Sequence, residues 1–171
     1  MKILMVIAKK DFQDEEFQIP HNYFISKGIE VEVASSEKGI CVGMHGAEAE
    51  SDLKLEDVET ENYGAIVVVG GPGSKEFDED QEIESILIEA KEQGKILAAI
   101  CRAPVILAKA GVIDKEKATV SSSEENIAIL KKFKVEYIEE EVVMDKKLVT
   151  ANGPEVAEEF AECVYTLLKH N

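Results

Sequence analysis

The segment that is most informative about the fold is Lys95–Pro104, with the sequence KILAAICRAP. Residues 95–100 are almost wholly apolar, which predicts a strand that is buried on both faces. Residues 103–110 predict a helix, so only Cys101 and Arg102 separate the two elements. A side chain on so short a turn is held above the edge of the sheet, where its neighbours must be small. The sequence therefore predicts a nucleophile elbow at Cys101.

Three other runs rich in Val and Ile predict further buried strands, at residues 2–8, 29–34 and 65–69. Helix-like segments alternate with the strands, at residues 14–27, 80–93 and 123–132 and in a final helix from Pro154. Shorter strands are predicted at residues 118–121, 135–138, 141–144 and 148–151. The alternation predicts an α/β fold: a flavodoxin-like, doubly wound, mostly parallel sheet sandwiched by helices, with functional groups at the carboxyl ends of its strands.

The chain of 171 residues has no internal repeat, low-complexity tract or linker, so residues 1–171 are predicted to form a single domain. Its formal net charge of −16 makes nucleic acid and anionic membranes unfavourable partners. No apolar run approaches the roughly 18 residues that span a bilayer. Three cysteines without a CxxC pair indicate a reducing, cytoplasmic compartment and no cysteine zinc site. We expect no metal and no organic cofactor.

Cys101 has the setting of a reactive thiol. At the start of a predicted helix, unpaired N–H groups and the helix dipole would lower the pKa of its thiol. The N–H of Arg102 is then a natural donor to an oxyanion. The alternative is that Cys101 is a small buried hydrophobic residue, as free cysteines often are, and the turn alone does not decide between the two. Cys41 and Cys163 lack a comparable setting, and we interpret both as packing residues.

A glycine-rich turn, Gly70–Ser74, directly follows the predicted strand 65–69. It lacks the spacing of a phosphate-binding loop. The N–H of Gly71 can face Cys101 across neighbouring strand ends as a second oxyanion donor, or the turn is simply a tight connection. The acidic stretch Asp11–Glu16 follows the first strand. We expect most of its carboxylates to be solvated and one of them to be able to reach the thiol.

Several segments together carry a family resemblance. They are Lys2–Ala8 with Phe12–Phe17, Tyr63–Ala65 leading into Val69–Gly71, Ala98–Pro104, Glu141–Asp145 and Leu148–Pro154. Over nearly the whole chain, these segments make the sequence similar to the ThiJ/PfpI superfamily, relatives of the class-I glutamine amidotransferases. That superfamily includes intracellular proteases, glyoxalases and a deglycase.

The resemblance implies roles for individual residues. Cys101 matches the nucleophile, and Glu16 matches an acid that hydrogen-bonds the thiol in its protonated form. Gly71 and Arg102 match the backbone positions of the oxyanion hole. Burial beside a forming thiolate is expected to raise the pKa of Glu16, and the alternative is a Glu16 exposed at the surface. Members commonly form dimers, and the protease branch assembles further, which implies a homo-oligomer here.

The sequence departs from the superfamily at both familiar histidine positions. The protease-like branch has His directly after the cysteine, where this chain has Arg102. The deglycase-like branch has His at the position of Ser121. Arginine keeps its proton at working pH, so Arg102 cannot act as a base. His45 lies in a stretch that resembles the protease branch, and we keep it, with Ser121, as a candidate supporting residue.

Glu76 matches an acid that completes the site in the protease-like branch, where it is donated across a subunit interface. We hypothesise that the Arg102 guanidinium pairs with Glu76, in the same or a neighbouring subunit, and so fixes the elbow or captures a substrate carboxylate. The alternative is an exposed Arg102 of which only the backbone N–H matters.

Three functions are compatible with these residues. The favoured one is a cysteine-dependent enzyme that acts on a small carbonyl compound or a peptide. Glyoxalase- or deglycase-type chemistry is favoured over peptide hydrolysis, because hydrolysis needs a protonated leaving amine and no histidine is in place. The second function is a non-enzymatic redox sensor that uses an oxidisable Cys101. The third, a stress chaperone, has no residue signature.

Overall fold

Strands and α-helices alternate along the chain in the computed structural model, which describes all 171 residues. The strands are β1 Lys2–Val6, β2 Lys10–Phe12, β3 Glu30–Ser35, β4 Gly39–Gly43, β5 Glu48–Ser51, β6 Leu53–Lys54, β7 Ala65–Val68, β8 Ile96–Ile100, β9 Lys117–Ala118, β10 Glu136–Tyr137, β11 Val142–Asp145 and β12 Leu148–Ala151. The helices are α1 Asp14–Ser26, α2 Gln81–Glu92, α3 Pro104–Lys109, α4 Glu124–Lys132 and α5 Ala157–Lys169. A 3₁₀ helix over Pro72–Phe77 follows β7.

Seven strands form the main sheet, in the spatial order β11-β12-β8-β7-β1-β3-β6. All neighbours in it are parallel except β11, which runs antiparallel to β12 at the edge. Every residue of β7 and β8 is buried, as expected for central strands that are covered on both faces. The structure confirms the predicted doubly wound, mostly parallel α/β fold. The turns that follow β1, β7 and β8 lie side by side at the carboxyl edge of this sheet.

Helices cover the sheet in two groups. Helix α1 packs against α5, which also contacts β8 and β12, while α2 packs against β7 and β8. One cluster of 50 buried residues forms the core between these layers. None of the helices is long and apolar enough to cross a membrane.

Two regions differ from the sequence predictions. The predicted strand 118–121 is reduced to β9, which pairs with β10 outside the main sheet. Strands β4 and β5 form an antiparallel hairpin that is absent from the predictions. Exposed and buried residues alternate along β4 with a period of two: Ile40 and Val42 are exposed, while Cys41 and Gly43 are buried. This alternation is typical of a strand with one solvated face. The glycines around this short run concealed the alternation.

Candidate active site

The turn after β8 is a strained elbow. Cys101 has a backbone φ of 64°, in the left-handed region that residues with a side chain rarely adopt. Two hydrogen bonds hold it there: its N–H donates to the Ala151 carbonyl at 2.8 Å, and its carbonyl accepts the Ser121 N–H at 2.7 Å. Cys101 is half-buried, and α3 begins just beyond it at Pro104. The structure confirms the predicted tight strand-to-helix turn.

Two glycines after β7 lie against this elbow. Gly70 donates its N–H to Oε1 of Glu16 at 3.1 Å. A Cβ at Gly70 would lie 2.7 Å from that oxygen and 2.8 Å from the Cβ of Cys101, so no side chain fits there. Gly71 has a φ of 101°, and a Cβ on it would lie 2.4 Å from the backbone nitrogen of Gln13. The two glycines therefore allow the turns after β1, β7 and β8 to meet.

Glu16 lies in the first turn of α1 and is completely buried. The Gln13 side chain caps this helix by accepting the Glu16 N–H at 2.8 Å. Oε1 of Glu16 accepts the Gly70 N–H, whereas its Oε2 has no hydrogen-bond partner of normal geometry. The carboxyl lies within interaction range of the Cys101 thiol. The alternative of a surface-exposed Glu16 is therefore wrong.

Burial raises the pKa of the Glu16 carboxyl from 4.5 to about 8, and the charges of Glu155 and Glu15 contribute to the rise. The nearby Cys101 thiol and the Gly70 N–H oppose this rise without cancelling it. The expected rise in the pKa of Glu16 is thus confirmed. Glu16 therefore carries its proton at pH 7, and its Oε2, which has no hydrogen-bond partner, is free to hold that proton.

Burial also raises the pKa of the Cys101 thiol to about 12, and the charge of Glu16 adds to the rise. The prediction of a lowered thiol pKa is therefore wrong. Burial and a neighbouring carboxyl outweigh the N–H groups at the start of α3, which is only six residues long. At pH 7 the resting pair is a neutral thiol beside a neutral carboxyl. A thiol in this state would have to lose its proton to act as a nucleophile.

Several donors converge around the sulfur. The backbone N–H of Arg102 and the hydroxyl of Ser121 lie near the Cys101 thiol and partly offset the rise in its pKa. Nδ2 of Asn126 donates to the Ser121 hydroxyl oxygen at 2.6 Å, which leaves the hydroxyl proton free for the sulfur. The N–H of Gly71 donates to no acceptor within the chain. Asn126 was not predicted, because only the packing of α4 brings it to this site.

The Arg102 guanidinium pairs with Asp78 and not with Glu76. Nη1 lies 2.9 Å from Oδ1 of Asp78, and Nη2 lies 2.8 Å from Oδ2. Arg102 is only 8% exposed, so the alternative of an exposed arginine is also wrong. Glu76 is exposed in the 3₁₀ helix and forms no ion pair within the chain. Four acids lie close together in this part of the sequence: Glu76, Asp78, Glu79 and Asp80. The course of the backbone brings only Asp78 to the guanidinium.

No histidine hydrogen-bonds the Cys101 thiol. His45 is exposed between β4 and β5, and its backbone N–H donates to Oδ1 of Asp14 at 3.0 Å. The His21 ring packs on Phe17 with centroids 5.2 Å apart. His170 lies at the C-terminal end of α5. The structure thus brings Cys101, Glu16, Gly71, Arg102 and Ser121 together but leaves the His45 side chain out.

The other cysteines lie outside this site. Cys41 is buried in β4 and Cys163 is half-buried in α5; burial raises the thiol pKa of both. All three cysteines are free. No group of three or more His, Cys, Asp or Glu side chains is arranged to hold a metal ion.

The fold and the site define an α/β protein that carries a cysteine on a strained elbow beside a buried carboxyl. A model of the DJ-1/PfpI family matches residues 1–167. The chain belongs to the DJ-1/PfpI family.

Individual relatives agree with this assignment. The chain is 41% identical over 171 residues to the uncharacterised protein MJ0967 of Methanocaldococcus jannaschii, covering 99% of this chain and 83% of that one. It is 33% identical over 154 residues to the deglycase PfpI of Pyrococcus furiosus, covering 90% and 91%. It is 26% identical over 158 residues to the glutathione-independent glyoxalase DJR-1.2 of Caenorhabditis elegans, covering 92% and 83%.

A solved structure matches the fold closely. The ThiJ/PfpI domain protein from Brachyspira murdochii superposes with a TM-score of 0.95 at 29% identity, covering 99% of this chain and 97% of that one.

Proposed function

We propose that the protein is a cysteine-dependent enzyme of the glyoxalase or deglycase type, which acts on 2-oxoaldehydes or on their adducts. One observation carries the proposal: the Cys101 thiol sits on a strained elbow against the completely buried Glu16, whose pKa is about 8. A carboxyl with this pKa can hold or release a proton near neutral pH, as proton transfer in catalysis requires. The names of the deglycase and glyoxalase relatives support the same class of reaction.

The first step of the proposed reaction forms a hemithioacetal. The reactive form is the fraction of the protein in which Glu16, with a pKa of about 8, has released its proton. Sγ of Cys101 attacks the aldehyde carbon while this Glu16 carboxylate takes the thiol proton. The carbonyl oxygen becomes an alkoxide, which the N–H groups of Gly71 and Arg102 stabilise. Glu16 then returns the proton to this oxygen. Because the Gly71 N–H has no acceptor within the chain, it is available for this role.

The second stage moves one proton between neighbouring carbons and one proton between their oxygens. The Glu16 carboxylate removes the C–H proton from the former aldehyde carbon and delivers it to the adjacent carbonyl carbon. The hydroxyl proton of the first carbon passes to the oxygen of the second, so the adduct becomes the thioester of a 2-hydroxy acid. Water then hydrolyses the thioester and restores the Cys101 thiol. The first carbon is oxidised and the second is reduced by the same amount, so the balance of 2-oxoaldehyde plus water gives the 2-hydroxy acid without an external oxidant.

Peptide hydrolysis is less well supported. It requires a proton donor for the leaving amine, and no histidine hydrogen-bonds the Cys101 thiol to serve that purpose. A second candidate function is redox sensing, which is favoured by the partnerless Oε2 of Glu16. When protonated, this oxygen can donate to a sulfinate formed at Cys101 by two successive two-electron oxidations with peroxide. Selective addition of two oxygens at Cys101 under mild peroxide, measured by peptide mass spectrometry, tests this candidate against uniform oxidation of all three thiols.

The proposal includes a homo-oligomer in a reducing, cytoplasmic compartment. Ile40, Val42 and Met44 form an exposed apolar row along β4, which would be shielded by a second copy of the chain. Size-exclusion chromatography with light scattering on the wild type and on Val42→Lys tests the assembly. A monomeric wild type would contradict it.

Incubation with methylglyoxal tests the enzymatic proposal. The wild type is expected to convert it to lactate, and Cys101→Ser to lose this activity. Cys163→Ser is the matched control, because this half-buried cysteine lies in α5 outside the site. Equal consumption by the wild type and Cys101→Ser, or no consumption by either, would contradict the proposal.

A further inference from the structure

The Arg102 side chain connects the elbow to the neighbouring turn. Besides its two bonds to Asp78, Nη1 donates to the hydroxyl oxygen of Ser74 at 3.2 Å. Ser74 donates its hydroxyl to the Gly71 carbonyl at 2.7 Å and its N–H to the same oxygen at 3.1 Å. A continuous chain of hydrogen bonds therefore runs from the Arg102 guanidinium to the backbone of Gly71.

The two ends of this chain are the residues whose N–H groups would stabilise one alkoxide. Arg102 follows β8 and Gly71 follows β7, so their spacing is not set by the local backbone. An oxyanion is stabilised by both donors only when each N–H lies about 2.7–3.1 Å from it. A rigid link between the two turns is therefore required for this geometry.

We propose that the Arg102 side chain is a positioning group that holds the N–H donors of Arg102 and Gly71 in register for a single oxyanion. The kinetic consequence rests on the proposed function, while the link itself is a property of the fold. The link consists of Arg102, Asp78, Ser74 and Gly71 of this chain.

The Arg102 guanidinium contributes to the positioning of the two N–H donors through its geometry and not through its charge. The side chains of Arg102 and Asp78 are only 10% and 18% exposed, and a buried ion pair adds little net stability because both charges lose their hydration. Its two parallel bonds fix direction as well as distance. Asp78 neutralises the guanidinium and also lies 3.4 Å from Nζ of Lys109. The backbone N–H of Arg102, by contrast, acts on the Cys101 thiol itself by lowering its pKa.

Three variants and one control separate positioning from charge. Arg102→Met removes the link, Arg102→Lys keeps the charge without the planar fork, and Ser74→Ala cuts the link but keeps the ion pair. Lys109→Met is the control, because it removes the other cation on Asp78 and makes no contact with Ser74. Melting temperatures establish that each variant is folded at the assay temperature.

The first readout is steady-state kinetics with methylglyoxal. For both Arg102 variants we expect kcat to fall about 10- to 100-fold with KM changed by less than about 2-fold, because misplaced donors weaken only transition-state binding. We expect Ser74→Ala to lower kcat about 3- to 10-fold and Lys109→Met to match the wild type. Recovery of wild-type kcat by Arg102→Lys, or an equal loss in Lys109→Met, would overturn the proposal.

The second readout needs no turnover. In ¹⁵N–¹H correlation spectra we expect the Gly71 amide signal to shift or broaden in Arg102→Met and in Ser74→Ala, and to stay unchanged in Lys109→Met. An unchanged Gly71 signal in folded Ser74→Ala would overturn the positioning role, whether or not methylglyoxal is a substrate. The spectra therefore test the positioning role separately from the proposed function, which the kinetics with methylglyoxal test.

Discussion

Two buried carboxyls in the first turn of α1, Asp14 and Glu16, lie in opposite electrostatic environments. Asp14 is 6% exposed and Glu16 is completely buried, so desolvation pushes the pKa of both upward. Asp14 accepts the N–H groups of His45 at 3.0 Å and Ala47 at 2.8 Å, and these bonds bring its pKa below the ordinary value. Glu16 accepts one backbone N–H, from Gly70, and its pKa rises to about 8.

The comparison of Asp14 with Glu16 shows that burial alone does not make a carboxyl reactive. Asp14 is satisfied as an anion, and it fastens the loop between β4 and β5 to the start of α1. Glu16 is left with one oxygen that has no hydrogen-bond partner, and its carboxyl interacts with the Cys101 thiol. The number of N–H donors that reach each carboxyl separates a structural residue from a catalytic candidate.

Glu16→Gln should have the largest effect, because it removes the group that moves protons under the proposed function. We expect kcat/KM for methylglyoxal to fall about 10²- to 10⁴-fold. Asp14→Asn, on the same turn, is the matched control and should change kcat/KM by less than about 3-fold. A Glu16→Gln variant that retains wild-type kcat/KM would remove Glu16 from the reaction.

The same variant should become more stable relative to the wild type as pH rises. The native state binds a proton at Glu16 that the unfolded state releases above about pH 4.5, so the wild type loses stability between pH 4.5 and about 8. The shift corresponds to a loss of about 5 kcal/mol, which Glu16→Gln avoids because it carries no charge. Urea unfolding of both proteins at pH 5 and pH 8 measures this. A stability difference that does not grow with pH would contradict the raised pKa.

Gly70→Ala should have the next largest effect. Its Cβ would lie 2.7 Å from Oε1 of Glu16 and 2.8 Å from the Cβ of Cys101, so it would force these two groups apart. We expect kcat/KM to fall at least about 10-fold and the free energy of unfolding to fall by about 1–3 kcal/mol. Gly111→Ala is a control for adding a methyl group, because a Cβ there has no atom within 4 Å, although its φ of 73° adds some backbone strain of its own. Equal kinetics for Gly70→Ala and the wild type would contradict the close contact.

Asp14→Asn should lower stability with little change in activity. An amide presents only one oxygen to two N–H donors, so we expect the free energy of unfolding to fall by about 1–3 kcal/mol near pH 7. The contribution of Asp14 is present above the pKa of an unfolded aspartate and is lost as pH falls through its lowered native pKa. The difference between wild type and variant should therefore shrink in acid. Chemical denaturation across pH 2–7 follows this change, and a constant difference would count against it.

Ser121→Ala should have the smallest effect. It removes a hydroxyl that lowers the pKa of the Cys101 thiol, so the thiol pKa should rise further and kcat should fall about 2- to 10-fold. Nδ2 of Asn126 loses its acceptor in this variant but is only partly buried, so water can replace it. Alkylation of Cys101 by iodoacetamide as a function of pH measures the shift. An unchanged alkylation profile would exclude a hydrogen bond from Ser121 to the sulfur.

The fold and the centre of the site could be predicted because their signals are local. A fully apolar strand running directly into Cys101 predicts the elbow, and the resemblance points to Glu16 and Gly71. The pairing of Arg102 with Asp78 could not be predicted, because several acids lie within reach and the 3₁₀ helix selects one of them. The thiol pKa was predicted in the wrong direction. A local pattern locates the N-terminal end of a helix, but it does not give the depth of burial or the distance to a carboxyl from another segment.

The environments of Glu16 and Asp14 are expected to shift the two pKa values in opposite directions. A ¹³C NMR titration of their side-chain carboxyl carbons in the folded wild type measures both shifts. We expect Glu16 to titrate near pH 8 and Asp14 below the ordinary pKa of an aspartate, although the two lie in one helical turn. In Cys101→Ser, Glu16 should still titrate well above 4.5, since burial is the main cause of its shift. Titration of Glu16 near pH 4.5 in the wild type would contradict the raised pKa of this carboxyl.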